Sequence, residues 1–224
     1  MTGSRQSKQT IRINDPELEL EMNFLAHAFL SGDDAGLLVG NFIADFVKGR
    51  KALQEFPASI QNGILLHRAI DSFTDLHPTV GLSKARLRPR YRHYAGVIVD
   101  VYYDHFLAIQ WKEFHQEPLE GFATRVYDTI DQHMEILPPM VKEFFPYMKR
   151  NNWLVGYSRV EGIGRSLTGM SRRTPYESKM DEAVNELIRY KKEFAEEFNT
   201  FFPELQERVR EFVSSENKAP DLPA

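Results

Sequence analysis

The chain contains no cysteine among its 224 residues. Disulfides, thiolate metal sites and cysteine nucleophiles are thereby excluded, and the absence fits a reducing compartment. Long hydrophobic runs are missing too. No stretch approaches the roughly 18 to 20 apolar residues of a membrane span, and the polar N-terminus lacks a signal-peptide core. Nor is there an excess of positive charge. Lys and Arg number 28 against 32 Asp and Glu, and the formal charge of −4 argues against a general nucleic-acid binder. A Walker loop, GxSxG, HExxH and a GxGxxG following a strand are all absent, so P-loop, serine-hydrolase and Rossmann readings have no support. What is left is a soluble cytoplasmic protein, one domain with extensions, long enough to bury a full core.

What the chain does have is helical periodicity almost throughout, with no alternating strand of useful length and no internal repeat. Residues 1–21 are polar and read as a flexible extension. Met22 opens MNFLAHAFL, where the apolar pattern begins, and the domain is expected over 22–213. The polar, Pro-containing stretch 214–224 reads as a disordered tail. Helices are expected over about 22–31, 34–48, 57–76, 79–88, 91–115, 118–136 and 138–149, with a shorter element over 151–168. A long last helix over 175–212 contains Pro203, which should kink or split it. Gly36 and Gly40 permit close backbone approach, so the first two helices are expected to pack tightly. The fold class is all-α, a single-domain helical bundle.

Three helical stretches place acids and histidines where core residues belong, and buried charge is costly unless paired or bound to a metal. On the third helix, Ile60 and Ile64 mark the inward face, and the same stripe continues through His67 and Asp71. That pair can grip one cation or form a buried ion pair that fixes the helix. Asp75 lies one further turn along, and His77 is placed to cap the helix or reach the site. On the fourth helix, Asp100 and Asp104 lie four apart among Val97, Val101, Leu107 and Ala108, with His105 beside them. Two carboxylates on one apolar face repel unless something positive lies between them. His27 sits in NFLAHAFL, as a ligand or as a hydrogen-bonded core histidine; Asp45 closes GNFIADF, with Asn41 one turn back. Donors of N and O type without thiols suit manganese, magnesium, iron or zinc, and mixed His and Asp favour manganese or iron over magnesium.

Basic residues cluster twice near these acids. Lys48, Arg50 and Lys51 follow Asp45, and Lys84, Arg86, Arg88, Arg90, Arg92 and His93 crowd one segment. Arg172 and Arg173, after GMS, form a third candidate. Each is either a solvated helix surface or a docking patch for phosphate or an acidic partner.

The segments MNFLAHAFL, GNFIADFVKG, GILLHRAIDSFTDLHP, DVYYDHFL, WLVGY and GMSRRT resemble the acyl carrier protein phosphodiesterase family, also called acyl carrier protein hydrolases. The likeness runs from Met22 to about Phe202. It implies an HD-domain-like, all-helical enzyme that removes 4′-phosphopantetheine from holo acyl carrier protein with a divalent metal, manganese by preference. It also implies that Asp45 is essential, and that His67, Asp71 and Asp104 stand at the centre. No literal His-Asp dipeptide occurs; Asp104-His105 and the spaced His67 and Asp71 come nearest.

Within that resemblance the expected metal ligands are His27, His67, Asp71 and Asp104. Asp45 and Asp100 are expected as further ligands or as groups orienting the attacking water. His105 is expected either as the acid for the leaving serine or as a group holding Asp104. Lys48, Arg50, Arg68, Arg88 and Arg90 are expected to meet phosphate or the small, acidic carrier. Two other functions fit the same residues: an HD-like phosphohydrolase of a nucleotide or small phosphoester, and a non-enzymatic helical binding protein.

Overall fold

The structure is a computed structural model that describes residues 23–216. The expectation for residues 1–21 and, beyond Glu216, that of a disordered tail over 214–224 lie outside the described residues, while Ser214, Ser215 and Glu216, expected in that tail, are helical. Within the described residues the secondary structure is entirely helical, with no strand. In chain order the helices are α1 (Phe24–Leu30), α2 (Ala35–Ile43), α3 (Gly49–Leu53), α4 (Ala58–Leu76), α5 (Pro78–Tyr91), α6 (Ala95–Ile109), α7 (Trp111–Phe114), α8 (Leu119–Gln132), α9 (Pro139–Arg150), α10 (Trp153–Gly156), α11 (Val160–Ser171), α12 (Val184–Arg189) and α13 (Lys191–Glu216). None is long and apolar enough to cross a membrane.

The element that positions the site is the contact of α2 with α4. Asp34 caps α2 by accepting from the Leu37 amide at 2.8 Å, which fixes where the helix starts. From that start Gly36 and Gly40 face α4, where Gly63 faces back. A Cβ on Gly40 would lie 2.1 Å from the Ile60 carbonyl, and one on Gly63 would lie 2.4 Å from the Leu37 carbonyl. The two backbones therefore touch. The sequence pattern pointed these glycines at α1; in the structure it is α4 that they admit. Asn41 follows Gly40 directly, and His67 lies one turn beyond Gly63.

α6 forms the centre of the core and packs against α1, α5, α11 and α13. Its Ile98, Val99, Val101, Tyr102, Phe106 and Leu107 are fully buried. The expected helix over 34–48 breaks after Ile43 into a short 3₁₀ turn, Ala44–Phe46, before α3 begins. The expected break at Pro203 does not occur. The discontinuity falls at Tyr190, and α13 runs unbroken through Pro203 and on through Ser214. Pro203 and Asn199, which would have accepted its missing N–H, are both exposed, while Phe198, Phe201, Phe202 and Leu205 are buried around them. Packing of one face keeps the helix continuous, and the lost hydrogen bond is on the water side. Pro89 lies inside α5 in the same way, with Pro89 and Ala85 both exposed.

Candidate metal centre

Four elements converge at the α2–α4 contact. α1 supplies His27, α2 supplies Asn41, the turn after α2 supplies Asp45, and α4 supplies His67 and Asp71. The organising residue is Asn41, which is buried. Its Nδ2 donates to the His27 carbonyl at 2.9 Å and to Ser31 Oγ at 3.0 Å. Its Oδ1 therefore faces the imidazoles, 2.6 Å from His27 Nδ1 and 3.0 Å from His67 Nδ1. The Asn41 backbone carbonyl lies 2.9 Å from His67 Nδ1 as well. Amide oxygens only accept, so both Nδ1 atoms carry hydrogen. Each Nε2 is then a lone pair in the neutral ring.

Those lone pairs face carboxylates. His67 Nε2 lies 3.0 Å from Asp45 Oδ1 and 3.0 Å from Asp71 Oδ2. His27 Nε2 lies 3.3 Å from Asp71 Oδ1, yet it is buried and makes no hydrogen bond among the described residues. The two rings stack with centroids 4.1 Å apart. Acceptor facing acceptor is repulsive, so the arrangement calls for positive charge in the middle: a proton or a metal ion. A proton is one solution. Burial lowers the His67 pKa, but Asp45 and Asp71 outweigh it and raise it to about 10. Burial likewise pushes Asp71 up, and the two imidazoles outweigh that and hold it well below the usual carboxylate range.

A cation is the other solution. His27, His67 and Asp71 offer ligand atoms that all lie within 4.8 Å of one another. The orphaned, buried His27 Nε2 and the N/O donor set fit a divalent ion of hard or borderline character. Asp45 meets this group at its His67 corner. The side chains of Asp71 and Asp45 are 33% and 23% exposed, which leaves the centre reachable from solvent on that side.

Asp104 is not brought into this group. It is completely buried, and its two oxygens accept from the backbone amides of Leu25 at 2.9 Å and Ala26 at 2.8 Å. It thus satisfies the first turn of α1, the helix that carries His27. Burial pushes its pKa up to about 7 against the pull of those two amides. His105 is buried beside it and donates from Nδ1 to the Tyr157 carbonyl at 2.7 Å; burial depresses its pKa. Asp100 is half-buried on α6 and adds a small repulsion, after burial and Glu197, to the raised pKa of the Tyr103 hydroxyl.

The basic residues divide. Arg68 donates to the Val47 carbonyl at 3.0 Å, tying α4 to the segment after Asp45, where Lys48 and Arg50 are exposed. Arg86 is held bidentately by Glu197 at 2.8 Å, Lys84 by Asp75 at 2.6 Å, and Arg90 by Glu182. Arg88, Arg92 and His93 are exposed. His77 caps α5 at the Thr79 amide and pairs with Glu204 at 3.2 Å. Asn41 is the site residue that sequence reasoning passed over. Its signal was present: a buried amide one turn before Asp45 needs partners for both ends.

These features define a class of protein: an all-α domain whose buried histidine–carboxylate centre, drawn from several helices, is able to hold a cation. The chain belongs to the acyl carrier protein phosphodiesterase family, whose family model matches residues 22–205. A curated acyl carrier protein phosphodiesterase of Serratia proteamaculans is 31% identical over 191 residues, 85% of this chain and 98% of that protein. The proteins of the same name from Photorhabdus laumondii and Yersinia pestis are 32% and 30% identical; each alignment covers 84% of this chain, and 95% and 98% of those proteins respectively. No solved structure matches the chain.

Proposed function

We propose that the protein is a metal-dependent phosphodiesterase that removes 4′-phosphopantetheine from holo acyl carrier protein, with manganese as the preferred ion. The observation that carries this reading is the pair of Nε2 lone pairs on His27 and His67, fixed by Asn41 and aimed at Asp71. Names of the relatives supply the substrate class. A centre drawn from several helices also supports kinship with the HD-domain phosphohydrolases. A cysteine-free chain acting on acyl carrier protein belongs in the cytoplasm.

His27, His67 and Asp71 would hold the ion. Bound there, it supplies a lowered pKa for water and a polarised phosphoryl oxygen. Asp45, half-exposed beside His67, orients the attacking water and takes its proton. Water oxygen adds to phosphorus, the bond from phosphorus to the carrier serine oxygen breaks, that oxygen takes a proton from solvent, and Asp45 returns its own to solvent. Lys48 and Arg50 follow Asp45 directly and offset charge on the phosphoryl group. Arg68 holds their segment in place through Val47. Exposed Arg88 and Arg92 offer cations to an acidic carrier, with Arg90 alongside them already engaged by Glu182.

A substrate panel with wild-type, Asp45→Ala and Asp71→Ala protein tests the reading. Wild type converts holo to apo carrier, and both variants stay folded and lose turnover. Cleavage of a nucleotide or small phosphoester in place of the carrier would overturn the substrate, and full turnover in Asp71→Ala would overturn the site.

A further inference from the structure

Two motifs of the resemblance, WLVGY and GMSRRT, take no part in the histidine–carboxylate centre, yet the structure brings them to one cleft. It has a volume of about 210 Å³ and is lined by Asn151, Trp153, Gly156, Gly162, Arg165, Ser166, Gly169 and Arg173. No acid lines it. On α11 the residues Gly162, Arg165, Ser166 and Gly169 fall at i, i+3, i+4 and i+7, so one helix face carries glycine, cation and hydroxyl, and Arg173 reaches the same cleft from the turn after the helix.

The glycines shape the floor. A Cβ on Gly162 would lie 1.9 Å from the Gly156 carbonyl, so α10 and α11 meet backbone to backbone. A Cβ on Gly156 would meet nothing within 4 Å, so that position opens into the cleft. The Arg173 guanidinium folds over Gly169, where a Cβ would be 3.5 Å from its Nη2. Trp153 is fixed by stacking on Phe144 at an interplanar angle of 6°. Arg165 makes no ion pair among the described residues. Glu161 and Asp181 border the adjoining groove that shares Arg165, and Asp181 is hydrogen-bonded by Ser171 at 3.1 Å.

Arg173, just past the C-terminal end of α11, needs no ligand on its own account, since the macrodipole favours a cation there. That explanation does not account for a concave, acid-free, glycine-floored space with Asn151 and Ser166 on its walls. Guanidinium forks match the oxygens of phosphate, and bare backbone permits close approach. We propose that this cleft is a second binding site, for a phosphate-type oxyanion: free phosphate or the phosphate end of a monoester. The proposal does not depend on the reaction assigned to the other centre.

Isothermal titration of the full chain, metal removed by chelator and ionic strength held constant, tests it with inorganic phosphate, 4′-phosphopantetheine and pantetheine as titrants. Phosphate should bind saturably and pantetheine should not. Equal affinity for phosphate and 4′-phosphopantetheine assigns the site to the free anion; tighter binding of the latter assigns it to a monoester. The double variant Arg165→Gln with Arg173→Gln should weaken binding at least tenfold. Gly156→Leu, which fills the cleft without a backbone clash, should do the same, and Asp71→Asn should bind as wild type, with folding of each checked by circular dichroism. Absence of saturable binding, unchanged affinity in the cleft variants, or loss in Asp71→Asn overturns the proposal.

Discussion

One side-chain amide sets the chemistry of two histidines. Asn41 fixes hydrogen on both Nδ1 atoms and so points both Nε2 lone pairs at acids. Asn41→Ala should leave the buried His27 Nδ1 donor without its acceptor, while His67 Nδ1 keeps the residue-41 carbonyl, and should cost about 1–3 kcal/mol of stability, read by urea denaturation. Manganese affinity should fall about 10- to 100-fold by calorimetry. The charge at this centre also makes it pH-dependent. With His67 raised to about 10 from an unfolded value near 6.5, metal-free protein gains stability that is complete below pH 6.5 and is lost as pH rises through 10. Its melting temperature should therefore fall across that window. Metal entry must displace the same proton, so manganese uptake at pH 7 should release protons, measurable by titration in buffers of different ionisation enthalpy. Sequence spacing revealed His67 and Asp71 because both lie on one helix stripe. It misplaced Asp104, whose partners are amides 79 and 78 residues away. A buried carboxylate announces a partner without saying which.

Between elements, backbone contact decides the geometry. Gly40 and Gly63 let α2 and α4 approach until no Cβ fits, and the imidazole of His67 then reaches Asn41. Gly40→Ala would put a Cβ 2.1 Å from the Ile60 carbonyl, and separation of the helices should cost at least about 1–3 kcal/mol. Manganese binding should weaken in parallel. Gly81→Ala is the control: it is helical, a Cβ there meets nothing, and stability should hold or rise by up to about 1 kcal/mol. Thermal melts of the two variants separate close packing from helix propensity. Helices were legible wherever apolar residues kept the 3.6 period, as over Ala58–Leu76. Their ends and partners were less so, because Pro203 and the glycines act through which face is buried, and that is a tertiary property.

At the scale of the whole molecule, the basic segment of α5 is largely consumed by the protein's own acids. Glu197 takes Arg86, Asp75 takes Lys84 and Glu182 takes Arg90. Exposed Arg88 and Arg92 carry what attraction is left for an acidic carrier. kcat/KM on acyl carrier protein should fall as salt rises from about 0.01 to 0.15 M, as the screening length shrinks from about 30 to 8 Å. Arg88→Ala should flatten that dependence, and kinetics at several ionic strengths would show it. Family membership came from motifs spread along the chain, so it was readable before the fold, as was a shared polar centre where helices meet; that Asp104 stands outside that centre was not.

The central claim is that the histidine–carboxylate centre uses a metal to release the carrier's prosthetic arm. Intact-mass spectrometry of holo acyl carrier protein, incubated with chelator-treated protein before and after manganese is restored, tests it most directly. The account predicts an unchanged holo mass before, the apo mass after, and no conversion with Asp71→Ala. A holo mass that persists with folded, manganese-loaded wild type would contradict it.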